Sequence, residues 1–152
     1  MYAFKNLASL CGSLKDYQAQ TNSYEQAWRM GARVRGPNEK AVHTIRSLLI
    51  TAAEKSADYA LACEAREAQI KYYKEKYGDE HANTIVAELK LAQLLESNQQ
   101  FDAAEKRFRD NLALRIKVYG AESERTALAH SLLGQFLERR ERYQDAATEL
   151  KR

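Results

Sequence analysis

The chain has 152 residues, of which 45% are hydrophobic and 30% are charged, with six glycines and a single proline. So few turn-forming residues exclude a many-stranded sandwich or barrel and favour one all-helical domain. The net charge is +3 and both signs alternate along the chain, so the charge does not demand a polyanionic partner.

A repeat of 42 residues runs through the chain, because Gly36, Gly78 and Gly120 follow one another at this interval. The same shift brings leucines and aromatic residues into register: Leu7, Leu49, Leu91 and Leu133, and Tyr17, Tyr59, Phe101 and Tyr143. Registered copies of this length are typical of repeat folds. We therefore divide the chain into repeat 1 (1–35), repeat 2 (36–77), repeat 3 (78–119) and repeat 4 (120–152).

The apolar pattern within each repeat is helical. In repeat 3, Phe101, Phe108 and Leu112 belong to an apolar stripe with i, i+3/i+4 spacing, and the polar stretch 97–100 separates this helix from the one before it. The glycine at the start of a repeat is suited to the left-handed conformation that ends a helix. In chain order the pattern predicts eight helices, at 2–14, 17–34, 39–55, 58–76, 81–97, 100–118, 123–139 and 142–152.

Repeat 3 also carries the residue pattern of a known family. With the shared leucine counted as position 7, the pattern is Leu91, Ala92, Phe101, Ala104 and Phe108. This pattern resembles the tetratricopeptide repeat (TPR), and the 42-residue period is similar to the longer variant of kinesin light chains. The resemblance implies that residues 1–152 form a single all-α domain. This domain is an α-solenoid of about four antiparallel helix hairpins, which stack into a right-handed superhelix with a concave face.

No catalytic or metal-binding pattern stands out. His43, His81 and His130 show no ligand spacing with one another or with Cys11 and Cys63, and we expect His81 to cap a helix or lie in a loop. The motifs of serine hydrolases, phosphate-binding loops and zinc proteases are absent from the sequence. We therefore predict a protein that is not an enzyme and that holds no cofactor and no metal.

The cysteines and the hydropathy suggest a compartment. Two cysteines 52 residues apart cannot build a small disulfide framework, which favours a reducing environment. No apolar run approaches the roughly 20 residues of a membrane span. We therefore predict a cytoplasmic protein without a membrane partner.

The resemblance implies that the first helix of each repeat lines the concave face. Short polar groups run along the middle of this face, with aliphatic side chains beside them, and such a lining suits a peptide. The predicted partner-binding residues are Lys5, Asn6, Ser9, Ser47, Leu48, Thr51, Leu89, Lys90, Gln93, Ser131, Leu132 and Gln135.

Several function classes fit such a fold. The first is an adaptor that binds a peptide or protein partner on the concave face. The alternatives are an assembly segment of a longer solenoid, a module that self-associates through its ends, and a regulatory repeat of a larger enzyme. Nucleic acid is disfavoured as a partner, because acidic residues interrupt the two most basic stretches, 29–40 and 138–152.

Overall fold

The computed structural model describes Asn6 and residues 15–151. These residues contain seven α-helices and no strand, in the order α1 (Tyr17–Arg35), α2 (Lys40–Lys55), α3 (Tyr59–Tyr77), α4 (Ala82–Ser97), α5 (Phe101–Tyr119), α6 (Glu124–Arg139) and α7 (Tyr143–Leu150). Each helix begins and ends within two residues of its predicted bounds, which confirms the all-α fold class. The predicted helix 2–14 lies outside the described residues, apart from Asn6, which is helical and exposed.

The chain separates into two compact units, which we call the N-terminal unit (Met1–Lys76) and the C-terminal unit (Tyr77–Arg152). In the N-terminal unit, α1 packs against α2 through an apolar cluster that includes Tyr24, Trp28, Ile45 and Leu49. In the C-terminal unit, α4 packs on α5, α5 on α6 and α6 on α7.

The repeated leucines form the centre of each unit. Leu49, Leu91 and Leu133 are each 0% exposed and lie in the core. In the C-terminal unit, the rings of Phe108 and Phe136 meet at a centroid distance of 5.2 Å and join α5 to α6. The apolar columns of the sequence are therefore the packing surfaces of the hairpins.

Two polar residues, Gln69 and Asn111, are buried on the second helices of their hairpins, and each finds a partner inside its own hairpin. The Asn111 side-chain amide donates to the carbonyl oxygen of Ile85 at 2.7 Å. The Gln69 amide donates to the Ser47 hydroxyl at 3.0 Å. A buried polar group that is hydrogen-bonded costs little, so these two residues leave the hairpins intact.

The loops between repeats share one backbone geometry. Gly36, Gly78 and Gly120 have φ angles of 89°, 91° and 85°. In two of these loops a buried threonine of the next helix closes the turn: Thr84 donates to the Gly78 carbonyl at 2.8 Å, and Thr126 donates to the Gly120 carbonyl at 2.7 Å. This hydrogen bond fixes where the next helix begins.

The turn inside each hairpin has a second repeated feature. Lys15, Ala57, Gln99 and Glu141 have φ angles of 58° to 61° and occur at intervals of 42 residues. This is the left-handed region, which costs an L-residue roughly 1–2 kcal/mol. Every hairpin turn in the described chain therefore contains one residue in an unfavourable backbone conformation.

Relief of this strain is expected to stabilise the protein. Replacing Ala57 by glycine should raise the free energy of unfolding by about 0.5–1 kcal/mol, because Ala57 is exposed and glycine adopts positive φ without steric cost. The same replacement of Ala113, an exposed alanine in the middle of α5, should lower that free energy by about 0.5–1 kcal/mol. Urea titration followed by circular dichroism measures the free energy of unfolding of both variants. A destabilised Ala57→Gly variant would contradict the inference that the backbone of Ala57 is strained.

Candidate partner-binding face

The predicted residues of α4 divide between surface and core. Lys90 is exposed and Gln93 is half-buried, as a binding role requires. Leu89 is 6% exposed and packs inside the C-terminal unit, so the structure corrects our expectation that its side chain faces a partner. Val86, which lies one turn before Lys90, is 50% exposed and offers the apolar surface that we assigned to Leu89.

On α6 the predicted residues lie together along one side of the helix. Ser131 and Leu132 are half-buried, and Gln135 is exposed. The Gln135 amide donates to the Ser131 hydroxyl at 3.3 Å. Leu128, one turn before Leu132, is 52% exposed and occupies the same repeat position as Val86 on α4.

An ion pair joins the C-terminal ends of α4 and α6. Nε and Nη2 of Arg139 donate to the two carboxylate oxygens of Glu96 at 2.7 and 2.9 Å. This hydrogen bonding with Glu96 raises the pKa of Arg139 above its ordinary value. Two parallel bonds fix the orientation as well as the distance, so the pair aligns the exposed sides of the two helices. We call this surface the α4/α6 face; it comprises Val86, Lys90 and Gln93 with Leu128, Leu132 and Gln135.

In the N-terminal unit the predicted residues lie on α2. The Ser47 hydroxyl accepts from Gln69 and donates to the His43 carbonyl at 3.1 Å, so its hydrogen-bonding capacity is used within the unit. Leu48 is half-buried against the apolar cluster, and the exposed Thr51 donates to the Ser47 carbonyl. Predicted residues Lys5 and Ser9 lie outside the described residues.

Comparison with known proteins identifies the repeat type of the C-terminal unit and the fold of the chain. Residues 85–152 match the tetratricopeptide repeat model. The structure is similar to nearly identical kinesin-light-chain TPR-like repeats of Podosopora anserina, at 17% identity over 99% of this chain and 71% of that chain, with a TM-score of 0.71. Residues 85–152 are therefore tetratricopeptide repeats, and the chain has the TPR fold.

Two further structures have the same TPR fold. A single-residue variant of the Podosopora anserina repeats gives a TM-score of 0.72 at 17% identity, over 99% of this chain and 71% of that one. BtubC (BKLC) from P. vanneervenii gives 0.64 at 21% identity, over 97% of this chain and 59% of that one. No curated protein matches the sequence. The structural likeness at these identities establishes the fold, and TPR folds generally serve as protein-interaction scaffolds.

His81 has a structural role, and Cys63 is buried. His81 caps α4, since its Nδ1 accepts from the Asn83 backbone N–H at 3.2 Å, which confirms the predicted capping role. Burial raises the pKa of the Cys63 thiol to about 11, so Cys63 carries no thiolate at neutral pH. Among the described residues, no group of side chains comes together as a metal-ligand set. Within residues 15–151, the helices lack an apolar stretch of membrane-spanning length.

The division between core and surface on these helices has a measurable consequence. Leu89→Ala should lower the free energy of unfolding by roughly 2–5 kcal/mol, because it leaves a cavity in the C-terminal unit. Leu128→Ala should lower it by less than about 1 kcal/mol, because half of that side chain is already in water. Urea titration compares the two variants, and equal losses would show that the assignment of the faces is wrong.

Proposed function

We propose that this protein is a non-enzymatic adaptor that binds a peptide segment of a protein partner on the α4/α6 face. The observation that carries the proposal is the pair of exposed aliphatic side chains, Val86 and Leu128, at the same position of successive repeats. Large apolar groups exposed at the same position of successive repeats, together with polar side chains, are typical of interaction surfaces.

The polar groups of the face suit a polypeptide backbone. The Gln93 and Gln135 amides each offer one acceptor oxygen and two donor hydrogens, which match the carbonyl and N–H groups of a peptide. Lys90 lies between Val86 and Gln93 on α4 and supplies one positive charge. The partner segment that fits best therefore presents two apolar side chains and one acidic side chain.

The Glu96–Arg139 ion pair supports the same proposal. Glu96 and Arg139 are already hydrogen-bonded to each other, so a bound peptide does not have to supply hydrogen bonds or opposite charges for them. Because the pair aligns α4 and α6 before any partner arrives, less conformational entropy is lost on binding.

Self-association is the second candidate function. The exposed Tyr143 and Leu150 on α7 favour it, since both are large apolar side chains at the surface of the C-terminal unit. Sedimentation equilibrium separates the two candidates: under the adaptor proposal the protein stays monomeric, and Leu150→Glu leaves peptide binding unchanged.

Selection from a displayed peptide library tests the adaptor proposal. Wild-type protein should enrich peptides with two apolar residues and one acidic residue. A triple variant with Val86→Ser, Lys90→Ala and Leu128→Ser should bind those peptides at least about 10-fold more weakly, because it removes both apolar contacts and the charge. The affinities are measured by fluorescence anisotropy on labelled peptides.

The matched control is Ile116→Ser, which makes the same apolar-to-polar change at an exposed position of α5. This variant should bind like the wild type. Circular dichroism should show unchanged helicity in all variants. Undiminished binding by the triple variant would exclude the α4/α6 face as the binding site.

A further inference from the structure

One position of the repeat holds a buried polar residue in three successive repeats. Arg46, Glu88 and His130 occupy it, at intervals of 42 residues, and all three are buried. Each lies on the first helix of its hairpin, on α2, α4 and α6 respectively. A buried charged or titratable side chain at this position needs a compensating group nearby.

In the C-terminal unit that group lies 19 residues further along the chain, on the second helix of the hairpin. Glu88 receives a hydrogen bond from Nη1 of Arg107 at 2.8 Å. Nδ1 of His130 lies 2.8 Å from the Glu149 carboxylate. Both hairpins thus pair this position with a group of complementary chemistry.

In the hairpin of repeat 2, which lies in the N-terminal unit, the corresponding position holds no complementary group. The residue 19 positions after Arg46 is Ala65, which is 0% exposed and has no group to offer. Arg46 is itself 1% exposed, and neither its Nε nor its Nη2 has a hydrogen-bond partner among the described residues. Its guanidinium group lies over the Tyr72 ring, 5.6 Å from the centroid, which compensates the charge in part.

The other groups known to lie near Arg46 are two tyrosines and a lysine. Burial lowers the pKa of Arg46, and the opposing influences come from Tyr73 and Tyr72 rather than from a carboxylate. Lys76 adds a second cation over the same Tyr72 ring, at 5.4 Å from the centroid. A guanidinium cation in such a place is stabilised by a bound anion.

The two unpartnered atoms identify the kind of anion. Nε and Nη2 share one edge of the guanidinium plane, and this edge matches the two oxygens of a carboxylate. The chain uses the same edge elsewhere, because Arg139 holds both oxygens of Glu96 through Nε and Nη2. The complementary ligand for Arg46 is therefore a carboxylate.

A neighbouring side chain offers a further donor. His43 lies one turn before Arg46 on α2, and its buried Nε2 also has no hydrogen-bond partner in the part of the chain that the structure describes. The His43 ring contacts the Tyr72 ring at a centroid distance of 4.5 Å, so both unpartnered groups border the same tyrosine. Burial and the charges of Arg46 and Lys76 lower the pKa of His43, and the neutral ring can donate an N–H from Nε2.

We propose that Arg46 and His43, beside Tyr72, form a binding site for a carboxylate ligand in the N-terminal unit. The site admits a single small carboxylate group, because Arg46 is 1% exposed. That group is either a free small carboxylate or the side chain of an acidic residue in a partner. The inference does not depend on the α4/α6 face, which lies in the other unit.

Thermal unfolding at constant ionic strength tests the site, with sodium propionate replacing sodium chloride in steps. Propionate carries the same carboxylate group as a glutamate side chain. Binding to the native state should raise the wild-type Tm saturably, by on the order of 5 °C. The Arg46→Met variant should show no such rise, and without propionate its Tm should equal or exceed that of the wild type.

The matched control is Arg33→Met, the same change at an exposed arginine of α1, which should respond like the wild type. An equal rise in wild type and Arg46→Met would be a general salt effect and would overturn the proposal. Should Arg46→Met fail to fold, Arg46→Lys replaces it: this variant keeps the charge, lacks the two-atom edge, and should need at least about 10-fold more propionate.

A second arm identifies the source of the carboxylate. The Nε–H resonance of Arg46 is followed by nuclear magnetic resonance while propionate, or a blocked Gly-Gly-Glu-Gly-Gly peptide, is added. A saturable shift with propionate assigns the site to free carboxylates, and a shift with the peptide alone assigns it to an acidic side chain of a partner. The same peptide with glutamine in place of the glutamate should not shift the Arg46 resonance. No shift with either ligand would overturn the proposal.

Discussion

The structure depends on the burial of one leucine in each hairpin of repeats 2 to 4. A single helix hairpin has more apolar surface than it can cover alone, so it is stable only when a neighbouring helix covers the remainder. Leu49, Leu91 and Leu133 are inaccessible to water because neighbouring helices meet that requirement. The sides of the helices that take no part in this packing are free to vary, and Val86 and Leu128 expose their side chains there.

The repeated turns show how strongly this packing constrains the backbone. A lysine, an alanine, a glutamine and a glutamate take the left-handed conformation at the same position of successive repeats. None of these residue types prefers that conformation, so local propensity did not select it. Antiparallel packing of the two helices requires it, and the burial of the leucine column outweighs the local cost.

The sequence predicted the helices to within two residues because repeats 2 to 4 each begin with a glycine, such as Gly78, and because a polar turn separates the two helices of a hairpin. It did not predict that Leu89 would be buried. The reason is that α4 buries residues around most of its circumference, including Ile85, Ala87, Leu89 and Leu91, so its apolar periodicity does not identify one outer face. On α6, where the exposed side is more polar, Ser131, Leu132 and Gln135 lie at or near the surface as predicted.

The role of Arg46 was missed for a different reason. The family pattern ranks positions by apolar packing, whereas the relevant signal is a pairing of charge across 19 residues, present for Glu88 and His130 and absent for Arg46. A buried arginine without a carboxylate does not stabilise a fold, because an apolar side chain of similar volume would pack there without the cost of desolvation. Stability alone therefore does not account for Arg46, whereas a function that requires its guanidinium edge does.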